Sequence, residues 1–229
     1  MLSINNELFT RLLLIRHGQT IHNTQLLISG INDIPLTEKG HQEAQLLADR
    51  VKSQYKVAAL YTSPLQRTVQ TAEYLSRALN IPAIPNQDLI EYNFGILEGI
   101  KTSSLRQTNP ELFRKIDEWC ESDFSDCPIR PEVPGSESLE SLKKRIRSFS
   151  EMILEKHPGE VVAAVSHGGF IKSCLYYHTG GDFSRYIPYW VDNVSISIID
   201  FYKGNPVIRL FNDNSHIKED LVLGSPRWL

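Results

Sequence analysis

Two histidines in this chain stand where a histidine can do chemistry, each one residue beyond an apolar run and directly before glycine. The first closes "LLLIRHG", which sets Arg16 and His17 against the apolar residues 12–15. The second closes "VVAAVSHGG", where Gly168 and Gly169 follow His167. A third run, "ALYTSPLQR", ends at Ser63 and places Arg67 one helical turn further on. Unprotonated imidazole is a nucleophile at neutral pH, guanidinium forks match phosphate oxygens, and glycine-softened helix starts present free N–H groups. Two histidines, two arginines and such helix starts describe a site for a dianion, and a phosphate group is the natural ligand. The same cations disfavour an imidazolium and neutralise the equatorial oxygens of an in-line phosphoryl transfer.

The elements that must position these residues are legible in the hydrophobic pattern. "RLLLIR" (11–16), "KVAALYTS" (56–63), "EVVAAVSH" (160–167) and "SISIIDFY" (195–202) are apolar runs of strand length, two of them rich in Val and Ala as central parallel strands are. Helical patterns fill the gaps. Residues 36–53 start at Thr37 as N-cap and put Ala44, Leu47, Ala48 and Val51 on one face. Residues 63–79 offer Ser63 as N-cap with Pro64 at the first helical position, and the amphipathic stretch 136–159 is stopped by Pro158 and Gly159. Strand and helix take turns, which predicts an α/β fold of three layers: a doubly wound, mostly parallel sheet with helices on both faces. In such sheets ligands sit beyond the carboxyl ends of the strands, where His17, Ser63 and His167 fall.

Composition narrows the class. The chain has 229 residues, enough for a single domain spanning 1–229. Its 24 Lys and Arg against 27 Asp and Glu give a formal charge of -3, which argues against nucleic acid or an anionic membrane surface as partner and makes any anion site local. Cys120, Cys127 and Cys174 are an odd count without metal-ligand spacing, so thiols and a reducing compartment are expected rather than a disulfide framework or a metal site. The apolar run before Arg16 is too short for a signal segment or a membrane span, so a cytoplasmic protein is expected. Residues 95–135, with "CESDFSDCPIRPEVPGSES", read as an irregular, lid-like insertion over one edge of the domain. Oligomeric state stays open, a homodimer included.

Taken together, "LLLIRHGQTIHN", "GINDIPLTEKG" from Gly30, "YTSPLQRTVQTA", "LIEYNFGILEG" and "VVAAVSHGG" resemble the histidine phosphatase superfamily, which contains the cofactor-dependent phosphoglycerate mutases and phosphatases of similar fold. The resemblance runs from about residue 11 to 175, and "NVSISIIDF" with "LFNDNSHI" is similar to the family's terminal strands. It implies that His17 takes the phosphoryl group, that Arg16 and Arg67 clamp its oxygens, and that His167 completes the pocket. Asn23, Ser29, Gly30 and Gly168 then fall at phosphate-binding positions, and Glu91 at that of the proton donor to the leaving group. The implied activity is hydrolysis of a small phosphorylated metabolite through a phosphohistidine on His17, with no metal and no cofactor. Two alternatives stand beside it. A phosphoglycerate mutase of this family carries "ERHYG" where this chain has "EYNFG", so Tyr92 replaces a carboxylate-binding arginine, which disfavours the mutase. A catalytically silent phosphate-binding module is expected to have lost a site residue, whereas Arg16, His17, Arg67, Glu91 and His167 are all present.

Bland readings also apply. His22, His41, His157, His178 and His216 lack a strand-end context and read as structural or surface residues. Glu91 rests on a short motif, with capping of a loop as its rival. Lys101, Arg106, Arg114 and Arg130 are either substrate contacts or solvated charges.

Overall fold

In the computed structural model, which describes residues 9–121 and 130–217, six strands form one sheet. They are β1 (Phe9–Arg16), β2 (Val57–Thr62), β3 (Ala83–Pro85), β4 (Val161–Ser166), β5 (Ile196–Tyr202) and β6 (Asn205–Asp213), in the order β3-β2-β4-β1-β5-β6. The first four in that order run parallel; β5 is antiparallel to β1, and β6 to β5. The short β3 was not expected, and the last strand begins earlier than "LFNDNSHI" suggests. Lys203 and Gly204, at φ 51° and 84°, form the two-residue mirror-image turn that joins β5 to β6.

Seven helices are described: α1 (Ile21–Gln25), α2 (Glu38–Gln54), α3 (Gln66–Leu79), α4 (Thr102–Thr108), α5 (Pro110–Glu121), α6 (Leu139–Lys156) and α7 (Gly168–His178). Because side chains alternate across a strand, β1 feeds two cores at once. Leu12 and Leu14 pack with Ile146 and Phe149 of α6 and Phe170 of α7, while Leu13 and Ile15 pack with Leu47 and Val51 of α2 and Leu75 of α3. This is the expected three-layer arrangement, with helices on both faces of a mostly parallel sheet.

Helix starts show where local rules held and where tertiary contacts overrode them. Thr37 caps α2, its Oγ1 accepting from Gly40 N at 3.1 Å. Ser63 does not cap α3, which begins at Gln66 with Leu65 in the N-cap position. The Ser63 hydroxyl is engaged by His167 instead, and Asp33 Oδ1 accepts from Gln66 N at 2.6 Å in its place. The helix expected over 136–159 runs from Leu139, capped by Ser138, and ends at Lys156, before Pro158.

The stretch 95–135 departs most from expectation. It carries α4 and α5, which pack Leu105 and Leu112 against Ile28 and Leu97 in a small core of their own. Within that stretch, residues 122–129, including Cys127, lie outside the described residues. Among the described residues no helix is long and apolar enough to cross a membrane.

Candidate functional site

Parallel register brings the strand ends level. Arg16 pairs with Ser166 across β1 and β4, His17 N donates to Ser166 O at 3.0 Å, and Ser63 N donates to Val165 O at 2.9 Å. His17, Ser63 and His167 therefore meet at one edge of the sheet, and the two imidazole rings lie 5.3 Å apart, centre to centre.

The hydrogen bonds fix which nitrogen of each ring carries a proton. His17 Nδ1 lies 2.7 Å from Gly18 O, and a carbonyl only accepts, so Nδ1 donates and Nε2 keeps its lone pair. Burial first, then the charges of Arg67 and Arg16, hold the His17 pKa well below its ordinary value, so the ring is neutral. In His167 the roles reverse: Arg67 Nε donates to Nδ1 at 3.1 Å, leaving Nε2–H to donate to Ser63 Oγ at 2.8 Å. Its pKa is likewise far below normal, through burial and then Arg67.

Arg67 is 1% exposed and held in three directions: by His167, by Asn32 O at 2.7 Å and by Gly30 O at 2.7 Å. Burial brings its pKa down to about 10, so it is charged at neutral pH. Each terminal nitrogen keeps a second hydrogen to offer. Arg16 donates through Nη1 to Val191 O at 2.5 Å, while its buried Nε has no partner. An unpaired buried donor costs roughly 1–3 kcal/mol, and an anion beside it would satisfy it.

Glu91 comes to the same edge through a capping role. Its Oε1 accepts from Tyr92 N at 2.7 Å and Phe170 N at 2.8 Å, and its Oε2 from Gly169 N at 2.9 Å, so the carboxyl holds the first turn of α7. A Cβ on Gly169 would lie 2.6 Å from Glu91 Oε1, which explains the glycine there. Asn23 Oδ1 accepts from Thr20 N at 3.0 Å inside a capping box on α1, so Nδ2 is the side-chain atom left to donate. Ser29 Oγ pairs with His22 Nδ1 at 2.8 Å, and Gly30 contributes the carbonyl that holds Arg67. Gly168 lies against Arg16 at the start of α7.

Three side chains that the sequence reading did not single out belong to this region. Glu43, buried on α2, accepts from Gln19 N at 2.8 Å and fixes the loop after His17; an acid beside Ala44 on the apolar face of 36–53 was the available signal. Asn193 Nδ2 donates to His17 O at 2.9 Å, next to Val194, whose φ of 52° is strained for a β-branched residue. Lys172, partly buried on α7, has no local sequence signal. Among the described residues no group of His, Cys, Asp and Glu is arranged to hold a metal ion.

The architecture is that of an α/β protein whose parallel strands end on a cationic, histidine-lined edge. Residues 12–214 match the model of the histidine phosphatase superfamily (branch 1), and the chain belongs to that family. It is 30% identical over 212 residues to phosphoserine phosphatase 1 of Hydrogenobacter thermophilus, covering 93% of this chain and 96% of that protein. The solved structure of Bacillus stearothermophilus YhfR superposes with a TM-score of 0.77 at 30% identity, covering 91% of this chain and 100% of the other. A phosphoserine phosphatase variant from Entamoeba histolytica, solved in complex with phosphoserine, superposes with a TM-score of 0.76 at 26% identity, again over 91% and 100% of the two chains.

Proposed function

We propose that this protein hydrolyses phosphomonoesters of small metabolites through a phosphohistidine on His17. The observation that carries the reading is the lone pair on Nε2 of a neutral, buried His17 beside two arginines. Family membership and the phosphatases among its relatives support the hydrolase class, and the relatives named for phosphoserine support a small phosphorylated substrate. In the first step Nε2 attacks phosphorus, the P–O bond to the alcohol breaks, and protonated Glu91 delivers its proton to the leaving oxygen. In the second, Glu91 takes a proton from water, whose oxygen attacks phosphorus and displaces neutral His17, releasing inorganic phosphate.

Arg16 through its unpartnered Nε, and Arg67 through its remaining N–H groups, would neutralise the equatorial oxygens without help from a metal. Asn23 and the N–H of Gly168 complete the cradle, while Ser29 and Gly30 shape its floor. Rapid quenching with a labelled ester should trap an acid-labile, base-stable phosphoryl group, and activity should survive a chelator. In His17→Ala the label should vanish and turnover fall by on the order of 10⁴-fold or more. Label persisting in that variant moves the nucleophile to another residue. A mutase assay run alongside separates the second reading, which requires the phosphoryl group to return to a product alcohol.

A further inference from the structure

Beside the phosphate site lies a cavity of about 160 Å³ that the proposed chemistry does not use. Tyr92 and Gly169 line it, and both donate backbone hydrogen bonds to Glu91, so it begins at the carboxyl that faces the departing alcohol. Its far wall comes from α4, α5 and the neighbouring loops. Among the described residues, Phe94, Leu105, Phe113, Ile116, Trp119 and Tyr186 make that wall apolar and largely aromatic.

Two cations line the same cavity, Arg130 in the loop before α6 and Lys172 on α7. The Arg130 guanidinium lies 5.0 Å from the Tyr92 ring centre and 5.6 Å from that of Trp119, and Lys172 Nζ lies 5.8 Å from the ring centre of Tyr186. Neither makes an ion pair or hydrogen bond among the described residues, although Asp117 lines the same cavity and Glu91 adjoins it. Aromatic faces stabilise a cation weakly, so both charges remain available to an anion. Burial, opposed by Glu91 and reinforced by Arg130, lowers the Lys172 pKa, and an incoming anion would favour its charged form.

We propose, resting on the phosphatase reading above, that this cavity receives the alcohol part of the substrate. It selects phosphomonoesters whose alcohol has an aromatic or bulky apolar body and carries a carboxylate remote from the phosphate, which Lys172 and Arg130 bind. A single negative charge suits two cations that share their cavity with Asp117, whereas a second dianion would face that carboxylate. An ammonium group, as in phosphoserine, would meet both cations.

Ethyl phosphate, phenethyl phosphate and its para-carboxy derivative release similarly basic alkoxides, so they load the proton donor alike and differ in what fills the cavity. The full chain should prefer phenethyl over ethyl phosphate by about tenfold or more in kcat/KM. The para-carboxy ester should be preferred again by about fivefold, and phosphoserine should rank below phenethyl phosphate. Lys172→Met and Arg130→Gln should each lower kcat/KM for the para-carboxy ester several-fold more than for phenethyl phosphate, mostly in KM. Ethyl phosphate or phosphoserine cleaved as well as phenethyl phosphate overturns the assignment of the cavity, as does an equal loss on all esters in both variants. No phosphate released by the wild-type chain from any of these esters or from p-nitrophenyl phosphate overturns the phosphatase reading itself.

Discussion

The proposed phosphate end and the proposed alcohol end of this site are built on opposite plans. At the phosphate end almost every polar atom is tied to backbone or to another buried side chain: Arg67 in three directions, His17 through Nδ1, His167 through both nitrogens. At the alcohol end most of the apolar wall comes from α4, α5 and neighbouring loops, with Lys172 reaching it from α7, and its two cations make no hydrogen bond or ion pair among the described residues. A pinned site recognises one chemical group with little reorganisation. An apolar wall on a separate small core can vary without disturbing the sheet, which is where selectivity is easiest to change.

Glu91 stands on the border between the two ends and offers the largest test of the contrast. As proton donor it matters in proportion to the basicity of the leaving oxygen, and such donation contributes on the order of 10²–10⁴-fold. Glu91→Gln should slow hydrolysis of alkyl phosphates by about that factor, near 3–5 kcal/mol of barrier, and spare p-nitrophenyl phosphate, whose phenolate leaves unaided. The amide also cannot accept all three N–H groups of Tyr92, Gly169 and Phe170, so thermal stability should fall in the same variant. Equal losses on both ester types would assign the carboxyl to holding α7 alone.

A second contrast sets the site against its scaffold. His17 is held neutral by burial and by fixed cations, so turnover should not decline through its protonation as pH falls past 6.5, where an ordinary imidazole gains its proton. The scaffold should weaken over the same range. Burial pushes His178 down to about 4, below an unfolded value near 6.5, so its contribution is intact above pH 6.5 and is lost as pH falls toward 4, because the unfolded chain binds the proton first. Denaturant unfolding should show about 2 kcal/mol lost from this residue between pH 7.5 and 5. His178→Gln should remove that part of the slope; an unchanged slope would show that the folded chain accommodates the imidazolium.

Sequence legibility followed the same division. The strand ends could be read because residues 12–15 and 161–165 are short apolar runs that stop at histidine and glycine, and parallel register then levels those ends without further information. Helices α4 and α5 were hidden by the Pro, Ser and acidic residues near them, since Leu105 and Leu112 acquire a core only when Ile28 and Leu97 arrive from elsewhere in the chain. Lys172 reads as an ordinary polar position on an apolar helix. Its role depends on Tyr186 and Arg130, which no local pattern connects to it. Ser63 was read both as a strand-end residue and as a helix cap; the first reading holds and the second fails, because the hydroxyl's stronger claim comes from His167, 104 residues away.

That hydroxyl yields the smallest of the expected effects and the sharpest measure of how firmly the phosphate end is pinned. Ser63 Oγ accepts from His167 Nε2–H, while Arg67 Nε donates to Nδ1 of the same ring and alone suffices to fix the tautomer. Ser63→Ala therefore leaves the protonation pattern of His167 in place and removes only one partner of a buried N–H, a cost of roughly 1–3 kcal/mol in stability. With the ring still oriented by Arg67, kcat on phenethyl phosphate should drop by about tenfold at most and KM should hold. If the phosphate end were as loosely supported as the alcohol end, the same substitution would free the ring to turn, and kcat would fall toward the level of a His167→Ala variant. Steady-state kinetics of Ser63→Ala beside His167→Ala decides between the two, with nitrogen NMR of the His167 ring reporting directly whether the tautomer has survived.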